Sequence, residues 1–168
     1  RKELHRRAAA ALDKRYLPQH WDPALSAMLS HHYAKAGERV LELKQYLREL
    51  IFDITLNHDL FPTLSDRLFL SCSMPFSSRE ETDKKVEHAV SILDELRGSP
   101  ALSKREYAQL EASCFELAGG YRISWGEYTG AKLYTDEAIH ISKMHGFTET
   151  HIHCLKHYAY MYLSLIHI

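Results

Sequence analysis

Most of the features that usually announce a chemistry are scarce in this chain. Its 168 residues include three cysteines, Cys72, Cys114 and Cys154. An odd number with no CxxC pairing argues against a disulfide framework and a zinc ribbon, and points to a reducing, cytoplasmic setting. Seven glycines and five prolines are too few for a collagenous or low-complexity chain, and 26% charged against 45% hydrophobic residues is the balance of a folded one. Neither sign of charge dominates. With 21 basic and 22 acidic residues the formal net charge is -1, so there is no global electrostatic case for a nucleic-acid partner or an acidic membrane. Long apolar runs are missing too. The least polar stretch, Leu155 to Ile168, carries Lys156, His157 and His167 and is too short to span a bilayer. The opening residues do not read as a signal peptide. No GxxxxGK[ST], GxGxxG, GxSxG, DFG or HRD motif occurs, so the expectation is no catalytic, cofactor-binding or metal-binding residue within these 168.

What is present is helical periodicity. Leu4, Ala8, Ala9, Ala11 and Leu12 follow the spacing of an amphipathic first helix. Asp22-Pro23 is a start signal, an N-cap carboxylate followed by a proline whose φ is already helical, and Gly37 suits the left-handed residue that closes that second helix. Val40, Leu43, Leu47, Leu50, Ile51 and Ile54 form the longest clean stripe, ending near Asn57. A short helix around Leu64 to Leu70 and a loop at Met74-Pro75-Phe76 are expected next. Ser78 with Glu81, and Ser103 with Glu106, have the spacing of capping boxes. They open stripes Val86, Ala89, Val90, Leu93, Leu96 and Tyr107, Leu110, Cys114, Leu117, Tyr121. Gly98-Ser99-Pro100 stops the first of these. A further helix fits Glu127 to Met144, closed by Gly146, and Thr148 can cap a last one. No stretch alternates as a strand does, so the expected class is all-α.

The C-terminal half repeats. Phe115, Gly119, Gly126, Tyr128, Ala131 and Ala138 have the spacing of a tetratricopeptide repeat: a bulky residue, a small one four later, a turn glycine, then small residues where two helices cross. Large side chains at Gly119, Ala131 or Ala138 would push such helices apart. Leu155, Tyr158, Ala159 and Tyr162 fall in matching slots 40 residues after Phe115, and Val86, Ala89 and Leu96 lie 42 residues before Tyr128, Ala131 and Ala138. Ala118 and Arg122 depart from the repeat pattern, standing where a large apolar residue and an aromatic are usual. The expected architecture is antiparallel helix pairs in a right-handed solenoid; a generic helical bundle is the alternative. The concave face of such a solenoid binds a peptide or another domain, and Glu116, Arg122, Lys156 and Tyr160 are candidate groove contacts.

Twelve histidines raise the question of metal binding. His153 and His157 are i, i+4 on one helix, with His151 and Cys154 adjacent. Cys154 lies about 100° around the helix from His153, and no HExxH completes a site. His31, His32, His140 and His145 are scattered. The opening segment is locally basic (Arg1, Lys2, Arg6, Arg7, Lys14, Arg15), which suits a solvated helix face or a contact with upstream sequence as well as it suits phosphate. Trp21 and Trp125 read as anchors at helix junctions.

His5-Arg6-Arg7-Ala8 through Leu12, then Leu29, His32, Ala36 and Gly37, then Tyr46-Leu47, form a more specific succession. It resembles the junction of large signalling ATPases, where the winged-helix region after a nucleotide-binding domain passes into tetratricopeptide-like repeats. Leu50 stands where that pattern has alanine. The 40 to 42-residue spacing and the insert from Asp59 to Ser78 look more like soluble-type (class III) adenylate cyclases than like ATP-dependent transcriptional regulators or a free-standing adaptor. The resemblance implies a junction region over 1–57 following an ATPase part, and repeats over 58–162. It also implies a parent that makes cyclic AMP from ATP with Mg, the catalytic segments lying outside these residues, and a partner that is a protein, a peptide or the parent's own ATPase domain. The last residues, Leu163-Ser164-Leu165-Ile166-His167-Ile168, resemble the translation of a transposon adaptor used in DNA sequencing, which implies that residues 163–168 are artefactual.

Overall fold

A computed structural model describes residues 1–14, 22–58 and 77–166. The described residues are all-helical: α1 Lys2–Asp13, α2 Pro23–Ala36, α3 Arg39–His58, α4 Arg79–Glu95, α5 Lys104–Ser124, α6 Tyr128–His145 and α7 Thr148–Ile166. The helix expected over Leu64 to Leu70, the loop at Met74 to Phe76, Trp21 and Cys72 lie outside the described residues.

The helix limits follow from local chemistry. Asp22 caps α2 by accepting from the Leu25 N–H, Pro23 takes the first helical position, and Gly37 closes the helix at φ +83°. Both capping boxes form. Ser78 Oγ accepts from the Glu81 N–H while Glu81 accepts from the Ser78 N–H at 2.7 Å, and Ser103 and Glu106 do the same at the head of α5. These contacts hold the Glu81 and Glu106 carboxyls below their ordinary range. Gly146, at φ +72°, ends α6.

The main core joins α3, α4 and α5. Leu43, Leu47, Leu50 and Ile54 of α3 meet Val86, Ala89, Ile92 and Leu93 of α4 and Leu110, Cys114, Leu117 and Tyr121 of α5. Fully burying each leucine or isoleucine contributes about 1.5–3 kcal/mol. α5 then packs against both α6 and α7, and α6 against α7. At the other end α1 packs on α2, and α2 on α3; Ala9, Leu29 and Tyr33, with Leu12 and Leu25, make a small cluster separate from the main core. The α1 stripe is narrower than its sequence suggests. Ala9 is buried but Leu4 is 70% exposed, because α2 covers only one side of the helix.

A polar seam crosses the α3–α4 contact. Asp53 is buried and accepts from Thr82 Oγ1 at 3.1 Å and from Lys85 Nζ at 3.2 Å, with Glu49 3.6 Å from the same ammonium. Glu42, also buried, is bound by Arg39 at 2.8 Å, and Arg39 continues to Glu95. No described helix is long and apolar enough to cross a membrane.

Candidate interaction surface

The expected groove residues sit on α5 and α7, whose contact is shaped by two adjacent glycines. A Cβ on Gly119 would stand 2.5 Å from Thr135 Oγ1 and 3.4 Å from the Ala131 carbonyl, so α6 lies directly on the α5 backbone there. Ala131 and Ala138 are fully buried along the same crossing. A Cβ on Gly120 would stand 2.1 Å from His157 Cε1, so this second glycine is the seat of an imidazole from α7.

That imidazole reaches Glu116. His157 Nε2 and Glu116 Oε1 share a hydrogen bond of 2.8 Å, and His153 Nδ1 is 3.8 Å from the same oxygen. Both partners are largely buried, and burial disfavours the charged form of each. It raises the Glu116 carboxyl to about 7, with Lys156 pulling the other way and Glu149 reinforcing it. It lowers the His157 imidazole to about 4, helped by Lys156 and His153. The neutral pair can pass one proton from carboxyl to ring, becoming a carboxylate facing an imidazolium with the hydrogen bond kept. Cys154 is buried on the same helix and, like Cys114, has its thiol pushed up to about 12 by burial.

Arg122 and Tyr160 sit elsewhere on this surface. Arg122 turns toward α6, its guanidinium 4.5 Å from the Tyr134 ring centre and its Nη1 donating to the Ala118 carbonyl. This explains an arginine where the repeat pattern has an aromatic: the aromatic comes from α6, and Phe115 meets it edge-on at 5.5 Å. Lys156 lies over the Tyr160 ring, 5.1 Å from its centre. The structure therefore links Glu116 to Lys156 electrostatically, and engages Arg122 with Tyr134 on the α6 side.

Among the repeat positions, Gly126 turns the chain between α5 and α6 at φ +73°, and Tyr128 is half-buried beside Ala131, Ile123 and Met161. Leu155 is 50% exposed and Ala159 is exposed, since no described helix covers that side of α7. With Ile152, Tyr162 and Leu163 they leave an apolar stripe in solvent. On the α6–α7 side, Tyr128, Thr129, Lys132, Leu133, Asp136 and Met161 line an open groove of about 380 Å³. Tyr158 donates to Asp136 at its edge, beside Lys132. Trp125 ends α5 half in solvent, with Arg79 4.7 Å above its ring and bound to Glu127.

Among the described residues, no group of three or more His, Cys, Asp or Glu side chains is arranged to hold a metal ion. The Glu116–His157 pair is the feature that sequence reasoning missed. Its signal was two matching i, i+4 pairs, Glu116–Gly120 and His153–His157, whose registry becomes visible only when α5 and α7 meet. No protein-family model, curated protein or solved structure matches the chain.

Proposed function

We propose that this chain is a helical-repeat, protein-interaction segment of a multidomain signalling protein, in which helices α3, α5 and α7 line one face and α4 and α6 back them. The observation that carries the reading is the order of packing. α3 packs on α5 and α5 on α7, in addition to each helix's contact with the next, and no comparable contact joins α4 to α6. A stack of helix pairs has this signature, because the first helix of each pair touches the first helix of the next. The 42-residue recurrence supports it: Val86, Ala89 and Leu96 are buried in α4 and its C-cap, as Ala131 and Ala138 are in α6. On this reading Leu155 and Ala159 present the face to which Phe115 and Gly119 bind α6, the seat of a second helix.

The favoured parent is a soluble-type adenylate cyclase, its ATP and Mg chemistry carried by other segments, and the local role is to pack against the ATPase or a partner protein in the cytoplasm. The test is the complete reading frame, followed by cyclic AMP assay of the full-length protein with and without residues 79–162. Class III cyclase domains and an ATPase upstream, with output altered by the deletion, support the proposal. A downstream helix-turn-helix would replace the cyclase parent with an ATP-dependent regulator. A frame with neither would leave a free-standing adaptor.

A further inference from the structure

Three imidazoles cluster at the solvent edge of the α1–α2 contact, His31 exposed and His5 and His32 partly buried. His5 of α1 meets His31 and His32, which are consecutive on α2, with ring centres 6.1 and 5.2 Å away, and the two α2 rings are 5.5 Å apart. His5 Nδ1 and His32 Nδ1 stand 2.9 Å apart in a hydrogen bond that needs one of them to lack a proton. The side chains that face His5 are all basic, His31, His32 and Lys35 from α2. No described carboxylate lies within ion-pair distance of any of the three rings; Glu3 is taken by Arg6 and Arg7, and Glu38 by Arg6. Burial and these neighbours together hold the His5 imidazole below its ordinary range.

Besides the rings, α1 is held by the half-exposed ion pair of Arg6 with Glu38 between α2 and α3, 2.8 Å, and by a small apolar contact. α2 is the only described helix on which it packs extensively, and the apolar cluster between them contributes one buried residue from α1, Ala9, with Leu12 beside it. A 12-residue helix without tertiary packing is marginal in water.

We propose that the His5–His31–His32 cluster is a proton-operated latch, docking α1 on α2 when its imidazoles are neutral and releasing it when they charge. Uptake of a proton by both His5 and His32 removes the hydrogen bond and places two cations where one proton was shared, with Lys35 adding to the repulsion. Release frees a helix that carries Lys2, Arg6 and Arg7, while α3 to α7 keep their own core.

Residue-resolved hydrogen exchange on the purified chain tests this at pH 7.5 and 5.0, with rates corrected for intrinsic exchange. Amides of α1 are expected to lose at least tenfold in protection at pH 5.0 while those of α5 and α6 keep theirs. The midpoint should coincide with the titration of His5 and His32 followed by their Cε1 proton resonances. In a His5→Gln, His32→Gln variant α1 is expected to stay protected at both pH values. The proposal is overturned if wild-type α1 stays protected at pH 5.0, is unprotected already at pH 7.5, or loses protection together with α5 and α6. It is equally overturned if the ring titration and the loss of protection have separate midpoints, or if the variant retains the wild-type pH dependence.

Discussion

Glu116 and His157 test how strongly burial shifts a carboxyl and an imidazole that face each other. Folding moves the carboxyl from 4.5 up to about 7 and the imidazole from 6.5 down to about 4. Each displacement corresponds to about 3 kcal/mol at roughly 1.4 kcal/mol per pH unit. Their signs oppose. Between about pH 4.5 and 6.5 the native state holds a proton on Glu116 that the unfolded chain lacks, so this group's contribution falls as pH rises. Over nearly the same window the unfolded chain holds a proton on His157 that the native state lacks, so that contribution rises. The intact pair should therefore be close to flat. Glu116→Gln leaves the imidazole alone, and stability relative to wild type should climb by up to about 3 kcal/mol from pH 4 to 6.5. His157→Gln leaves the carboxyl, and relative stability should decline by a similar amount from pH 4.5 to 7. Urea unfolding followed by far-ultraviolet circular dichroism at four pH values measures both slopes. If both variants instead run parallel to wild type across this range, burial shifts neither group despite the 2.8 Å contact, and the argument from desolvation is wrong.

Other substitutions probe the packing. Gly119→Leu must displace Thr135 and the α6 backbone, and a loss of about 3 kcal/mol or more in chemical denaturation is expected; an unchanged midpoint would show that α6 does not sit on α5 as described. Lys85→Met leaves Asp53 and Glu49 without their shared ammonium, costing about 3–5 kcal/mol, and adding Asp53→Asn should recover much of it; strictly additive losses would deny the coupling. Cys114 and Cys154, buried with thiols pushed up to about 12, should react with a thiol reagent only at the rate of unfolding, which mass spectrometry of timed alkylation reads directly.

What the sequence made legible was local. The Asp22-Pro23 start, the Gly37 and Gly146 stops and the two capping boxes depend on residues within one turn of each other, and all form. The small residues Gly119, Ala131 and Ala138 were legible for a related reason, since a missing side chain announces a close approach without naming the neighbour. The polar contacts were not. His5 and His32 are 27 residues apart, Thr82 and Asp53 are 29 apart, and Glu116 and His157 are 41 apart. A charged residue in a helical stripe looks solvent-facing until the partner that neutralises it is placed. Leu4 failed in the opposite sense, because an apolar spacing states which way a helix would bury itself and not whether anything arrives to cover it.

Gly119 and Gly120 are neighbours in the chain but about 100° apart around α5, and each receives a different helix. Their fates under mutation are therefore tied to separate distant positions. Drift at 119 is answerable to Thr135, and drift at 120 to His157. In a set of diverged sequences the two columns should vary independently of each other, each in step with its own correspondent. A lineage that replaces Gly120 with a larger residue would be expected to surrender the histidine at 157, and with it the reason for burying a glutamate at 116.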